Sequence, residues 1–230
     1  MLVGHLGVAL GAKRLAPRTS AGTLMLASLL ADLLVWILLL AGVEHARVLP
    51  GITRTNALDL YDIALSHSLV MDAVWGVLLA GACFLWRRYR TGASVIFLLV
   101  LSHWLLDFLS HRPDMPLAPA VHQYFGLGLY NSPLGIVAVE GLIWIGGIVV
   151  YARATRARNR AGAYFFWGVA ALLTALWVLS QGAAPPADLK RAGISSLIFF
   201  SLVVLWAYLI DRARPSKAIT SMASARAAGR

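Results

Sequence analysis

The sequence is poor in charge and almost without cysteine. Charged residues make up only 13% of the 230, against 60% hydrophobic, and mean hydropathy is +0.75. A soluble domain carries about 25% charged residues, so that class is excluded and an integral membrane protein is implied. The single cysteine, Cys83, lies inside an apolar run. An intrachain disulfide and a cysteine-based zinc site are therefore excluded together. Acidic residues are scarce, 10 against 20 basic ones, for a net charge of +10. The basic residues fall in short clusters between apolar runs, a pattern of membrane orientation and not of nucleic-acid binding. A secretory leader places positive charge before its apolar core. Here the order is reversed, with LVGHLGVALGA followed by Lys13 and Arg14.

What is present is a series of apolar runs. Residues 2–12 contain Gly4, Gly7 and Gly11. Eleven residues make a helix of roughly 16 Å, half a bilayer, so a half-helix or re-entrant segment is expected. Its Gly7 and Gly11 have the spacing that lets helices approach closely. Six runs follow, at 20–43, 63–86, 93–111, 133–152, 163–180 and 192–210. Each is near the roughly 20 residues a crossing needs. Pro50-Gly51, Pro113 with Pro116 and Pro119, and Pro185-Pro186 mark loops.

If every run crosses, Lys13, Arg14, Arg18, Arg87, Arg88, Arg90, Arg153, Arg156, Arg158, Arg160, Arg212 and Arg214 share one side. Few basic residues fall on the other. The positive-inside rule then places both termini in the cytoplasm. The fold class implied is all-α: a polytopic membrane bundle of six transmembrane helices plus an N-terminal half-helix. One domain is expected over 1–212, its motif-bearing core over 1–140, with a mobile cytoplasmic tail over 213–230.

The runs are interrupted chemically at SHWLLDFLSHRPD, residues 102–114. His103, Asp107 and His111 are spaced i, i+4, i+8, which places them on one helical face within about 80°. An ionisable group in hydrocarbon costs roughly 2.5–3.5 kcal/mol and normally faces a bundle interior. Asp32, Asp72 and Glu140 also lie inside runs, as does His67, and His5 sits in the half-helix. At roughly 1.5 Å per residue, His67 and Asp107 come out about 6 Å below the outer surface, Glu140 about 10, His103 about 12, Asp72 about 13 and Asp32 about 16. They share the outer half of the membrane. His5, about 12 Å up from the other side, reaches the bottom of that slab.

Imidazole and carboxylate without thiolate suit Zn²⁺, Mn²⁺ or Fe²⁺. Asp32, His67, His103 and Asp107 are the expected ligands of one ion, with His5 at a second. Asp72, Glu140 and His111 are candidates for orienting ligands or moving a proton. Two ions about 3.5–4 Å apart would clamp both oxygens of a phosphoester, with ion-activated water as nucleophile. Ser66 reads as a helix cap beside His67. Asn131-Ser132-Pro133 reads as a turn and helix start. His45 and His122 lie in loops and read as solvated. The long loop 112–132 reads as a lid over the site.

His5 before a Gly-rich half-helix, then Asp32, Ser66-His67-Ser68 and His103-x3-Asp107, resembles the YdjM-like family of inner-membrane metal-dependent hydrolases. The resemblance covers roughly residues 1–112. The order of residues is more distantly similar to the zinc-dependent phospholipase C and S1/P1 nuclease superfamily. It implies a multi-pass inner-membrane protein with a zinc site of His67, His103, Asp107 and Asp32, His5 sharing Asp107 with a second zinc. The His-x3-Glu that supports a further zinc in the soluble enzymes is absent here. A lipid or other phosphoester would be the substrate. Two rivals share the same residues: a transporter with a buried proton or cation path, and a non-catalytic scaffold whose polar stripe fixes helix register.

Overall fold

The described residues of the computed structural model are 1–220. The expected mobile tail lies outside the described residues from 221 onward. Before that, Arg156 N–H donates to the Pro215 carbonyl, and Ser216 pairs with Thr155.

Helix dominates. The short α1 (Leu2–Ala12) is buried on nearly every side. It packs against a later helix through glycine: a Cβ on Gly7 would meet the backbone of Ile143 and Trp144. The close approach read from Gly7 and Gly11 is thus made through Gly7, with Gly147 as its counterpart. After a turn held by Lys13 Nζ on the Thr19 carbonyl come α2 (Ala21–Ser28), capped by Ser20, and α3 (Leu30–Leu40). These two helices are one apolar run, bent by 55° at Leu29.

The outer connection after α3 is not purely helical. β1 (His45–Val48) and β2 (Leu58–Asp62) form an antiparallel hairpin with an irregular register at His45/Arg47. The sequence reading expected a loop here, because a four-residue strand gives too short an alternation to stand out. Then come α4 (Ala64–His67), a single turn, and α5 (Leu69–Arg87). Ser68, not Ser66, caps α5, accepting from Met71 N–H. His67 therefore sits just before the span instead of inside it.

α6 (Arg90–Ser110) returns antiparallel after a tight turn at Arg88, whose φ of 49° is left-handed. The 112–132 segment carries the two-residue strands β3 (Met115–Pro116) and β4 (Tyr124–Phe125). It is pinned by Trp104 Nε1 on the Pro116 carbonyl and by Leu127 N–H on Phe108. Gly126 lies against the backbone of His111 and Arg112, where a Cβ would collide. That contact explains the glycine of Gly126-Leu127-Gly128. α7 (Pro133–Ala154) starts with Ser132 as cap and Pro133 in its first turn, as read from the sequence. α8 (Arg160–Ser180) and α9 (Leu189–Ala213) complete the bundle, capped by Asn159 and Asp188.

Five helices, α5 to α9, are long and apolar enough to cross a membrane, and six spans result if the bent α2–α3 pair counts as one. The chain is thus of multi-pass membrane type, a helical bundle with two short strand pairs added. Contacts fix its two ends. Lys13 Nζ is 2.5 Å from Asp211, and the Arg18 guanidinium lies over Tyr89. These contacts, with the Thr155–Ser216 bridge, gather the basic clusters at one end. The hairpin, α4 and the 112–132 segment lie together at the other, where Arg112 meets Asp59 and Thr55 N–H donates to the Tyr130 carbonyl.

Candidate metal centre

Side chains from four helices, α1, α3, α4 and α6, gather at the Asp107 carboxylate. Asp107 projects from α6 and is buried. Its Oδ1 lies 2.6 Å from the Met1 α-amino nitrogen and 3.1 Å from His5 Nε2. Its Oδ2 lies 3.2 Å from His103 Nε2 and 3.9 Å from both His67 Nε2 and His111 Nε2. Asp32 on α3 closes the ring, with Oδ1 4.0 Å from His103 Nε2. The His5 ring stacks on His103 at 3.9 Å, nearly parallel, and His67 meets the same ring edge-on.

The outer nitrogen of each of three rings is committed. His103 Nδ1 is 2.9 Å from the Ser28 carbonyl oxygen. A carbonyl only accepts, so Nδ1 carries the proton and a neutral ring presents a lone pair at Nε2. His111 Nδ1 is 3.1 Å from Asp114 Oδ1, again an acceptor, with the Arg112 guanidinium on the far oxygen. His67 Nδ1 is 2.8 Å from Ser66 Oγ. That hydroxyl is spent as a donor on Glu44 Oε2 at 2.6 Å, so it accepts from His67. With all three rings neutral, three Nε2 lone pairs face a carboxylate edge.

Such an arrangement is repulsive unless a proton or a metal cation lies between the groups. His103 Nε2, fully buried, finds no hydrogen-bond partner among the described residues, despite its distance to Asp107. Oriented histidines whose second nitrogen donates to a carbonyl or carboxylate are the usual support of a metal site. Two sets bring ligand atoms within 4.8 Å of one another: His5, His103 and Asp107, and Asp32, His67 and His103. An ion about 2.0–2.2 Å from each donor needs only slight contraction of these sets. Buried His and Asp groups able to hold a metal ion are thus present.

Glu44 anchors the α4 turn. Its Oε1 accepts from the backbone N–H groups of Leu65 and Ser66 at 2.9 and 2.8 Å. Burial raises its carboxyl above the usual range, opposed by the Ser66 and Leu65 donors.

A cavity of about 200 Å³ opens beside the cluster. Asp32, His67, Asp107, His111 and Tyr130 form its polar side, and Val35, Trp36, Leu39 and Phe200 its apolar flank. The segment 115–124 does not border it. Pro116, Ala118 and His122 line a separate cavity with Asp62, while Tyr130, near the end of the 112–132 loop expected as a lid, does border the site.

Of the candidates read from the sequence, His5, Asp32, His67, His103, Asp107 and His111 lie together. Asp72 and Glu140 do not join them. Neither oxygen of Asp72, buried in the first turn of α5, finds a hydrogen-bond partner among the described residues. Glu140 accepts from Trp177 Nε1 at 2.7 Å and lines an adjoining cavity. Depth placed these two acids in the right slab, but depth says nothing of helix rotation. His45 is exposed and pairs with Asp62 at 2.8 Å, and His122 is exposed.

Sequence reasoning missed Ser28, Glu44, Asp114 and Tyr130. Asp114, three residues after His111, was visible in the motif. Glu44 ends an apolar run and gave a weak signal. Ser28 acts through its carbonyl, which no residue type announces. The chain matches no family model, no curated protein and no solved structure among those compared.

Proposed function

We propose that the chain is a membrane-embedded, metal-dependent hydrolase acting on a phosphoester, most simply that of a lipid headgroup. The observation that carries this reading is the set of three histidine Nε2 atoms gathered within 3.9 Å of Oδ2 of one buried aspartate. Asp32, His67, His103 and Asp107 Oδ2 would hold one divalent transition metal, with zinc favoured by donor type. The Oδ1 edge is occupied by the Met1 amine and His5, which keep Asp107 charged and turned. A bound ion of this kind polarises a phosphoryl oxygen and lowers the pKa of its water towards about 7.

His111 lines the cavity, oriented by Asp114, and its Nε2 would take a proton from an attacking water. The cavity's mixed walls suit an amphiphile, with its headgroup at the cluster and its apolar part along Trp36, Leu39 and Phe200. The positive-inside rule puts the basic end and both termini in the cytoplasm and opens the site to the outer half of a cell membrane. A transport path fits less well, because Leu24, Ala27, Ile96, Leu99 and Val100 form an apolar core between the cluster and the basic end.

Elemental analysis of the detergent-purified protein tests the reading, paired with hydrolysis of a chromogenic phosphodiester and a short-chain phospholipid. Expected is a stoichiometric transition metal, lost with His103→Ala, and turnover abolished by chelation and restored by zinc. A folded protein that takes up no metal and gains no turnover from added zinc would refute it. Ion flux in proteoliposomes without hydrolysis would move the site to transport.

A further inference from the structure

The basic end of the bundle has a cavity of its own. The turn between α1 and α2, the last turn of α5 and the first turns of α6 enclose about 360 Å³. Arg18 and Arg87 line it, and neither forms an ion pair with a carboxylate among the described residues. Each guanidinium lies instead near an aromatic ring, Arg18 at 4.7 Å from the Tyr89 centroid and Arg87 at 4.6 Å from Trp86. The carboxylate in the lining, Asp211, is already held by Lys13 at 2.5 Å. The two arginines are thus left to serve something outside the chain.

The rest of the lining says what that is. Trp86 is 79% exposed at the end of a membrane-spanning helix, the usual depth of a headgroup-level aromatic. Thr19 and Thr23 bring hydroxyls, while Cys83 and Ile96 make the deeper wall apolar. Cationic forks at the rim select a phosphate, which guanidinium groups bind in paired hydrogen bonds. An apolar wall below that rim selects a phosphate attached to an acyl chain. A basic pocket between membrane helices on the positively charged side is the common form of an anionic-lipid site.

We propose that this cavity binds the phosphate headgroup of an anionic membrane phospholipid. It is separate from the ion cluster: Ile96 lies seven residues before His103 on α6, roughly 10 Å along the helix. The proposal does not depend on the hydrolase reading, and either can fail alone.

The full-length protein in detergent is titrated with short-chain phosphatidylglycerol and, at equal chain length, phosphatidylcholine, with native mass spectrometry counting bound lipid. The anionic lipid binds saturably and more tightly than the zwitterionic one. Arg18→Gln with Arg87→Gln weakens it on the order of tenfold. Arg18→Lys with Arg87→Lys keeps part of the affinity, and Arg54→Gln at the opposite end changes nothing. Equal binding of both lipids, or wild-type affinity in a folded double Gln variant, overturns the proposal. Displacement of the lipid by millimolar inorganic phosphate reassigns the site to a free anion and overturns it as well. If the double variant melts early, the single Gln variants and Trp86→Ala carry the same comparison.

Discussion

Glu44→Gln should disable the proposed metal centre without touching a proposed ligand. The substitution keeps shape and volume and changes only hydrogen-bond polarity. In the native protein both Glu44 oxygens accept: Oε1 from two backbone N–H groups, Oε2 from Ser66 Oγ. A glutamine fits only with its carbonyl on the two N–H groups, because the reverse orientation sets donor against donor. Its NH₂ then points at Ser66 Oγ, which must accept. The Ser66 proton turns to its other close neighbour, His67 Nδ1, at 2.8 Å. The Ile63 carbonyl, 3.4 Å from Ser66 Oγ, is the weaker acceptor, so His67 shifts toward the Nε2–H tautomer, and a proton occupies the position of the ligand lone pair.

Loss of an orienting partner typically lowers metal affinity roughly 10–100-fold, about 1.4–2.8 kcal/mol. The direct stability cost is smaller. Hydrogen bonds to a charged acceptor contribute about 1.5–3 kcal/mol, but burial of Glu44 offsets part of it, so about 1–2 kcal/mol is expected. Zinc affinity by chelator competition and melting temperature by intrinsic fluorescence separate the two effects. Wild-type zinc affinity in Glu44→Gln would refute the relay through Ser66. A pH series adds a check. Because burial raises the Glu44 carboxyl, its folded pKa lies above its unfolded one. The stability of wild type relative to Glu44→Gln should then be greatest below the unfolded value and shrink as pH rises through the raised one.

Three further outcomes are expected. Gly7→Ala drives a Cβ into the Ile143 carbonyl and the Trp144 Cα, backbone atoms that cannot rotate away, so thermal melting should show a loss of about 1–3 kcal/mol. Gly146→Ala, with nothing within 4 Å, should be neutral or stabilising and serves as its control. Trp177→Phe removes the Trp177 indole donor from the buried Glu140, at about 1–3 kcal/mol; a second change, Glu140→Leu, should recover most of it in the same melt. Chelation should lower the melting temperature of the wild type, since an ion at 100 times its Kd stabilises by about 2.7 kcal/mol. His103→Ala should show no chelator shift.

Much of this organisation was legible in the sequence because it rests on long-range statistics of hydrophobicity. The long runs after residue 63 became spans, since 20 apolar residues have few alternatives. His103 and Asp107 could be paired because helical spacing alone places them on one face. His5 and His67 were harder. Their convergence depends on where α1 inserts and on the break at Ser68, and only their shared depth hinted at it. Asp72 and Glu140 show the limit of that hint: each has the right depth, yet Glu140 pairs with Trp177 and Asp72 finds no hydrogen-bond partner among the described residues. Ser28 and Glu44 lay further out of reach, because one acts through a backbone carbonyl and the other through a serine on a different element.

The interruptions in the helices and the polar cluster account for each other. In hydrocarbon, a broken helix leaves backbone groups that water cannot reach, and such breaks survive only where protein polar groups receive them. Here α1 begins, α2 gives way to α3 at Leu29, α4 gives way to α5 at Ser68 and α6 ends at His111, all around one carboxylate. The Ser28 carbonyl beside the first break takes the His103 proton, and the Ser28 hydroxyl binds the His5 carbonyl. The α4 amides go to Glu44, and the His111 carbonyl receives the Gly128 N–H. Unbroken helices would leave no carbonyl free to orient His103, and without His103 the Ser28 carbonyl would lose that donor. Changing His103 to a leucine of similar bulk should therefore straighten or destabilise the α2–α3 bend. Amide hydrogen exchange at residues 28–33 reads this directly. Unchanged protection there would show that the bend is set by packing alone and that the cluster merely occupies it.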